Sequence, residues 1–81
     1  MTNIQVISEK KYLLGENPLW NRQEQTLWWT DVYNKCIYSY NPLNNSITER
    51  VKGLSVSSFA FIKNYGLICG CLEGLYLWNQ K

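Results

Sequence analysis

An internal repeat of short apolar bursts constrains this chain more than any other feature. Tyr38-Ser39-Tyr40-Asn41 returns 38 positions later as Tyr76-Leu77-Trp78-Asn79, and Leu27-Trp28-Trp29 returns 40 positions later as Leu67-Ile68-Cys69. The bursts are broken by Asn, Gly and Pro, which is how strands rather than helices are written. A period near ~40 residues with four strands per unit is the spacing of propeller blades. The strand faces agree. Alternation puts Leu27 and Trp29 on one side and Trp28 and Thr30 on the other, so both sides carry bulk. An open two-layer sheet keeps one face polar; a blade stacked between two others does not. The competing arrangement is a small β-sandwich or meander.

No segment carries a helical stripe, so the chain reads as all-β. The pattern predicts a strand at residues 4–8 and a connector at 10–14. Strands at 17–21, 26–31, 36–40 and 46–51 follow, and a second unit has strands at 56–62, 67–72 and 75–79. Polar turns fall at 22–25, 32–35, 41–45, 63–66 and 73–74, and residues 52–54 link the two units. Short strands joined by short turns, without crossover helices, make antiparallel hairpins in series.

Eighty-one residues make at most one small domain with a limited core. Yet 46% of the chain is hydrophobic and 15% aromatic, with four Trp and six Tyr. Either the core is dense or apolar surface is left for a partner. Eight basic and six acidic residues give a net charge of +2, scattered except for Lys10-Lys11. That is no phosphate-binding footprint, so nucleic acid is not expected as a partner. No apolar run is long enough for a membrane helix, and the N-terminus lacks a secretory signal pattern. There are no histidines, which removes Cys/His zinc sites and histidine triads from this chain. The three cysteines are odd in number, and Cys69 and Cys71 share a strand face, an awkward geometry for a mutual disulfide. Free core thiols in a reducing, cytoplasmic setting are expected. Asn44-Asn45-Ser46 is a formal glycosylation sequon expected to stay bare in that setting.

One stretch carries candidate chemistry: Gly15-Glu16-Asn17-Pro18-Leu19-Trp20. Gly15 permits a sharp turn. Pro18 has no amide hydrogen and suits only an edge strand or a strand start. Glu16 is thus expected where a strand emerges at a sheet edge, able to hold a metal, act as a base, or stay solvated. Asp31, at the end of an aromatic strand, is expected to stabilise a turn. The tryptophans and tyrosines are expected to pack between blades rather than form a sugar-stacking platform.

These residues resemble the start of the gluconolactonase / regucalcin (senescence marker protein) family. The matching pattern runs through Leu14-Gly15-Glu16-Asn17-Pro18-Leu19-Trp20 and Leu27-Trp28-Trp29-Thr30-Asp31. It continues through Ile37-Tyr38-Ser39-Tyr40-Asn41-Pro42, Gly66-Leu67-Ile68 and Glu73-Gly74-Leu75-Tyr76. Asn17 departs from the smaller residue common there. The resemblance implies a six-bladed β-propeller that holds one divalent cation (Ca, Zn, Mg or Mn) in its channel and hydrolyses sugar lactones. It implies that Glu16 is the first metal ligand, the other ligands and the lactone contacts coming from later blades. It assigns residues 1–15 to a closing strand and connector, 16–53 to a first blade and 54–81 to a partial second blade. The chain would then be the first one and three-quarter blades of a truncated propeller.

Two functions are consistent with that reading. One is a piece of a divalent-metal-dependent sugar-lactone hydrolase, inactive alone because one carboxylate cannot fill a coordination sphere of about six or more oxygens. The other is a non-catalytic propeller fragment that acts as a protein-interaction module. In either case the open edge at residues 75–79 and the aromatic faces of Trp28, Trp29 and Phe61 are expected to promote self-association.

Overall fold

The computed structural model describes residues 15–80, with side chains from residue 17 onward. The strand expected at residues 4–8 and the connector at 10–14 lie outside the described residues. Seven strands follow in order: β1 (Gly15–Asn21), β2 (Thr26–Asp31), β3 (Cys36–Asn41), β4 (Ser46–Lys52), β5 (Val56–Ile62), β6 (Gly66–Cys71) and β7 (Gly74–Asn79). They form a four-stranded sheet ordered β1-β2-β3-β4 and a three-stranded sheet ordered β5-β6-β7. All pairings are antiparallel between sequence neighbours.

The turns of the first sheet repeat one device. Asn21, Asp31 and Asn41 each end a strand, and each folds its side-chain oxygen back onto the turn. Asn21 Oδ1 accepts from the amides of Gln23 (3.1 Å) and Glu24 (3.0 Å). Asp31 Oδ1 accepts from Asn34 N at 3.2 Å, and Asn41 Oδ1 from Leu43 N at 2.9 Å. Side chains that mimic a backbone turn favour Asn and Asp here. The last residue of each turn, Gln25, Lys35 or Asn45, sits at a φ of 59°, 52° or 57°, so the chain re-enters the next strand through the left-handed region.

The sheets pack face to face through Trp28. Its side chain is fully buried. Phe61 meets its ring edge-on at 5.4 Å and Trp78 at 6.1 Å, both from the second sheet. Ile37 and Val51 complete the first sheet's contribution; Val56, Phe59, Leu67 and Cys69 supply the second. Thr30 Oγ1 donates to the Val56 carbonyl at 2.7 Å, a polar tie across the same junction. A second tie joins four segments. Arg50 lies over the Trp28 ring at 4.7 Å, donates to Ser39 Oγ at 2.7 Å, and pairs with Glu24 at 2.8 Å. Gln80 also donates to the Glu24 carboxylate.

Three sequence expectations need correction. The turn expected at Gly15 is not there. Gly15 already belongs to β1, and the irregularity falls at a bulge between Glu16 and Leu19, where Asn17 has a φ of 56°. Pro18 cannot donate to the ladder, and Asn tolerates the left-handed backbone, so the bulge gathers both. The turn expected at 73–74 spans Leu72 and Glu73, with Gly74 inside β7. Trp28 was expected on an open face but is buried by the second sheet, while Phe61 is partly buried against it. Trp29 points the other way, is half-buried, and stacks on Tyr38 with ring centroids 5.9 Å apart. Exposed apolar bulk sits on β7 instead, where Leu75 is 74% and Leu77 61% exposed. Gly66 permits the close β6–β7 approach, since a Cβ there would collide with the Trp78 carbonyl.

Trp28→Ala is expected to cost about 3–5 kcal/mol, the range for losing a large core aromatic. Leu75→Ser, on the exposed strand, is expected to stay within about 0.5 kcal/mol. Urea unfolding of the two variants compares them directly, and equal losses would contradict the assignment of the sheet junction.

Candidate functional site

Glu16 lies in β1, the edge strand of the first sheet, with its Cα in register with Thr30. Its carboxylate is outside the described side chains. The strand ends and turns at this end of the molecule also bring Asp31, Lys35, Ser55 and Glu73 into one region. Each of the two described carboxylates there already has a structural task. Asp31 is fully buried; its Oδ2 accepts from Asn34 Nδ2 at 2.8 Å while Oδ1 holds the Asn34 amide. This is the turn role expected from the sequence. Glu73 Oε1 accepts from Ser55 N at 3.1 Å, and Oε2 lies 3.8 Å from Lys35 Nζ.

Glu73 therefore ties the β6–β7 turn to the segment that links the sheets. Its own backbone amide, then the Ser55 amide, hold its carboxyl below the usual carboxylate range, with Lys35 adding a smaller effect. The ion pair itself is exposed and contributes little. Among the described residues no group of three or more His, Cys, Asp or Glu side chains could hold a metal ion. The described donors do not by themselves make a cage for a divalent cation.

None of the three thiols sits where its thiolate would be favoured. Cys69 is fully buried, and burial pushes its pKa up to about 11. Burial also raises Cys36 and Cys71. Tyr38, beside Cys36, is pushed up to about 12, first by burial and then by the neighbouring Cys36. Reactive cysteines need the opposite environment, one that favours the thiolate. All three are free, as expected.

A cleft of about 920 Å³ lies at the other end of the sheets, between the turn after β1 and the turn after β5. Trp20, Arg22, Gln23, Lys63, Asn64 and Tyr65 are among its walls. Sequence reasoning missed it. A weak signal existed, because Arg22 and Lys63 occupy the first turn position after the first strand of each repeat. Only the packing of one sheet on the other makes those positions neighbours.

Comparison with known proteins places the chain in context. The family described as "SMP-30/Gluconolactonase/LRE-like region" matches residues 14–81. The chain is similar to a 6-deoxy-6-sulfogluconolactonase of Pseudomonas putida, 28% identical over 65 residues. That alignment covers 80% of this chain and 22% of the relative, so the chain spans well under a third of the relative's length. No solved structure matches it.

In native protein at pH 8, iodoacetamide is expected to modify Cys71 and leave Cys69 untouched, with all three thiols reacting in urea. Mass mapping reads this out, and equal rates at Cys69 and Cys71 would contradict the burial of Cys69. Glu73 has a lowered pKa, so its contribution to stability is present above the ordinary carboxylate pKa and is lost as pH falls through the depressed value. Thermal melts from neutral to acid pH should show a shallower acid decline in Glu73→Gln than in wild type.

Proposed function

Because the chain belongs to the SMP-30/gluconolactonase/LRE-like family, we propose that it is a piece of a divalent-metal-dependent sugar-lactone hydrolase whose first metal ligand is Glu16. The observation that carries the reading is the family match over residues 14–81, which takes in Glu16. The backbone supports it. Among the described residues β1 has a strand neighbour on one side only, and the register position opposite Glu16, Thr30, is anchored to Val56 across the sheet junction. A ligand held on strands with a supporting shell is better placed than one on a loop. A hard divalent cation polarises a lactone carbonyl and lowers the pKa of a bound water. This chain's part is to supply one carboxylate on a rigid strand. The described carboxylates are engaged in turns and ties, so the other ligands are expected from elsewhere in the parent protein. The 81-residue chain by itself is inactive.

Glu16→Gln in the full-length parent is expected to weaken divalent-metal binding by more than about tenfold. Losing even outer-shell partners costs metal sites about 10–100-fold, and a direct ligand should cost at least as much. Calorimetry decides it, and unchanged affinity would remove Glu16 from the site. The isolated chain should show no lactone hydrolysis above a Glu16→Ala control; Glu16-dependent turnover in the fragment would overturn this account of where the site is built.

A second reading, an interaction module, is favoured by one observation. Strand β7 presents Leu75, Tyr76 and Leu77 at an exposed edge with no charged residue between Gly74 and Asn79. Uncharged apolar edges recruit other strands. The purified chain should therefore self-associate in light scattering, and a monodisperse monomer would count against this reading.

A further inference from the structure

We propose that the cleft between the turns after β1 and β5 binds a small polyhydroxylated carboxylate, a sugar acid. Charge is the first reason. Among the described basic residues, Lys35, Arg50 and Lys52 each pair with a carboxylate within 4.0 Å. Arg22 and Lys63 have no such partner, and both line this cleft. Among the described residues no Asp or Glu lines it with them. Glu24, next to the turn, is already taken up by Arg50 and Gln80. Two cations that line one concavity without a carboxylate partner among the described residues create a local positive potential that concentrates anions.

The rest of the lining narrows the class of anion. Trp20 is 45% exposed and offers an aromatic face at the cleft, with Tyr65 on the other wall. Gln23 and Asn64 bring side-chain amides, each both donor and acceptor, which suit hydroxyl groups. Aromatic surface, amides and paired cations together fit a ring or chain of hydroxylated carbons ending in a carboxylate, not a bare inorganic ion. A cleft of about 920 Å³ is at the upper end of small-ligand sites and has room for one sugar acid and its water.

This site is separate from the Glu16 end. Glu16 and Asn21 are five residues apart on β1, about 16 Å of extended strand. One small ligand cannot span both, so the inference stands whether or not the chain contributes to lactone hydrolysis.

The test compares gluconate with sorbitol, which shares its carbon chain and hydroxyls but lacks the carboxylate, and with sulfate, which has charge without hydroxyls. Equilibrium dialysis of the radiolabelled probes against the purified 81-residue chain reads binding regardless of association state. Gluconate is expected to bind saturably, with sorbitol and sulfate each at least tenfold weaker. The double variant Arg22→Gln/Lys63→Gln should lose gluconate at least tenfold, and Trp20→Ser should also weaken it. A Lys35→Gln/Lys52→Gln variant, which removes the same charge from the other end of the molecule, should bind as wild type does. Equal binding of sorbitol or sulfate overturns the proposal. So does an unchanged Arg22→Gln/Lys63→Gln variant, or an equal loss in the Lys35→Gln/Lys52→Gln control. The near-UV circular dichroism of each variant confirms an intact Trp28 junction, and Lys63→Glu alone serves as the second charge variant if the double variant unfolds.

Discussion

The buried indole of Trp28 is the contact on which the two sheets depend. Neither sheet can bury its own apolar face, because a sheet of three or four strands has apolar residues on both sides. Trp28 settles the problem for one pair of faces. It receives Phe61 and Trp78 edge-on, the arrangement its ring quadrupole favours. Its indole N–H is satisfied within its own strand by Thr26 Oγ1 at 2.8 Å. Its face carries the Arg50 guanidinium at 4.7 Å. A guanidinium drawn partly out of water is costly unless its donors are met. Glu24, Ser39 and the ring face meet them together, so the charge reinforces the junction instead of opposing it.

That junction also sets what each end of the molecule can do. Thr30, two positions along β2 on the same face as Trp28, binds the Val56 carbonyl and sets how β5 starts. The Glu16 register position, the Asp31-capped turn and the Glu73–Ser55 tie are gathered beside it. At the far end the same packing leaves a wedge between two turns, and that wedge is the cleft with the unpaired cations. One face-to-face contact thus positions an end where carboxylates are tied to turns and a lysine, and an end where Arg22 and Lys63 line a cleft.

Family membership and geometry bear on different questions. The match over residues 14–81 gives the lineage and a lactonase-like context. Within the described residues the carboxylates serve turns and ties, and burial raises the pKa of the buried thiols. Glu16 itself is fixed only at the level of the backbone, in β1 opposite Thr30.

Local chemistry in the sequence determined the strands and most of the turns. β2 and β5 run over the residues the alternating pattern selects, and Asn21, Asp31 and Asn41 recur at the turn starts because their short side chains can close a turn unaided. The bulge at Asn17 and the placement of Gly74 inside β7 were not legible, since both depend on how a neighbouring strand is paired. Nor did the pattern separate Trp28 from Trp29. Adjacent tryptophans in a strand are equivalent until one face meets a second sheet, and only then does one become the core and the other a half-buried neighbour of Tyr38. The meeting of Arg22 and Lys63 across a cleft had the same origin. Residues 41 positions apart acquire a common environment only when two hairpins pack, because burial and electrostatic field belong to surfaces brought together, not to the strands that carry them.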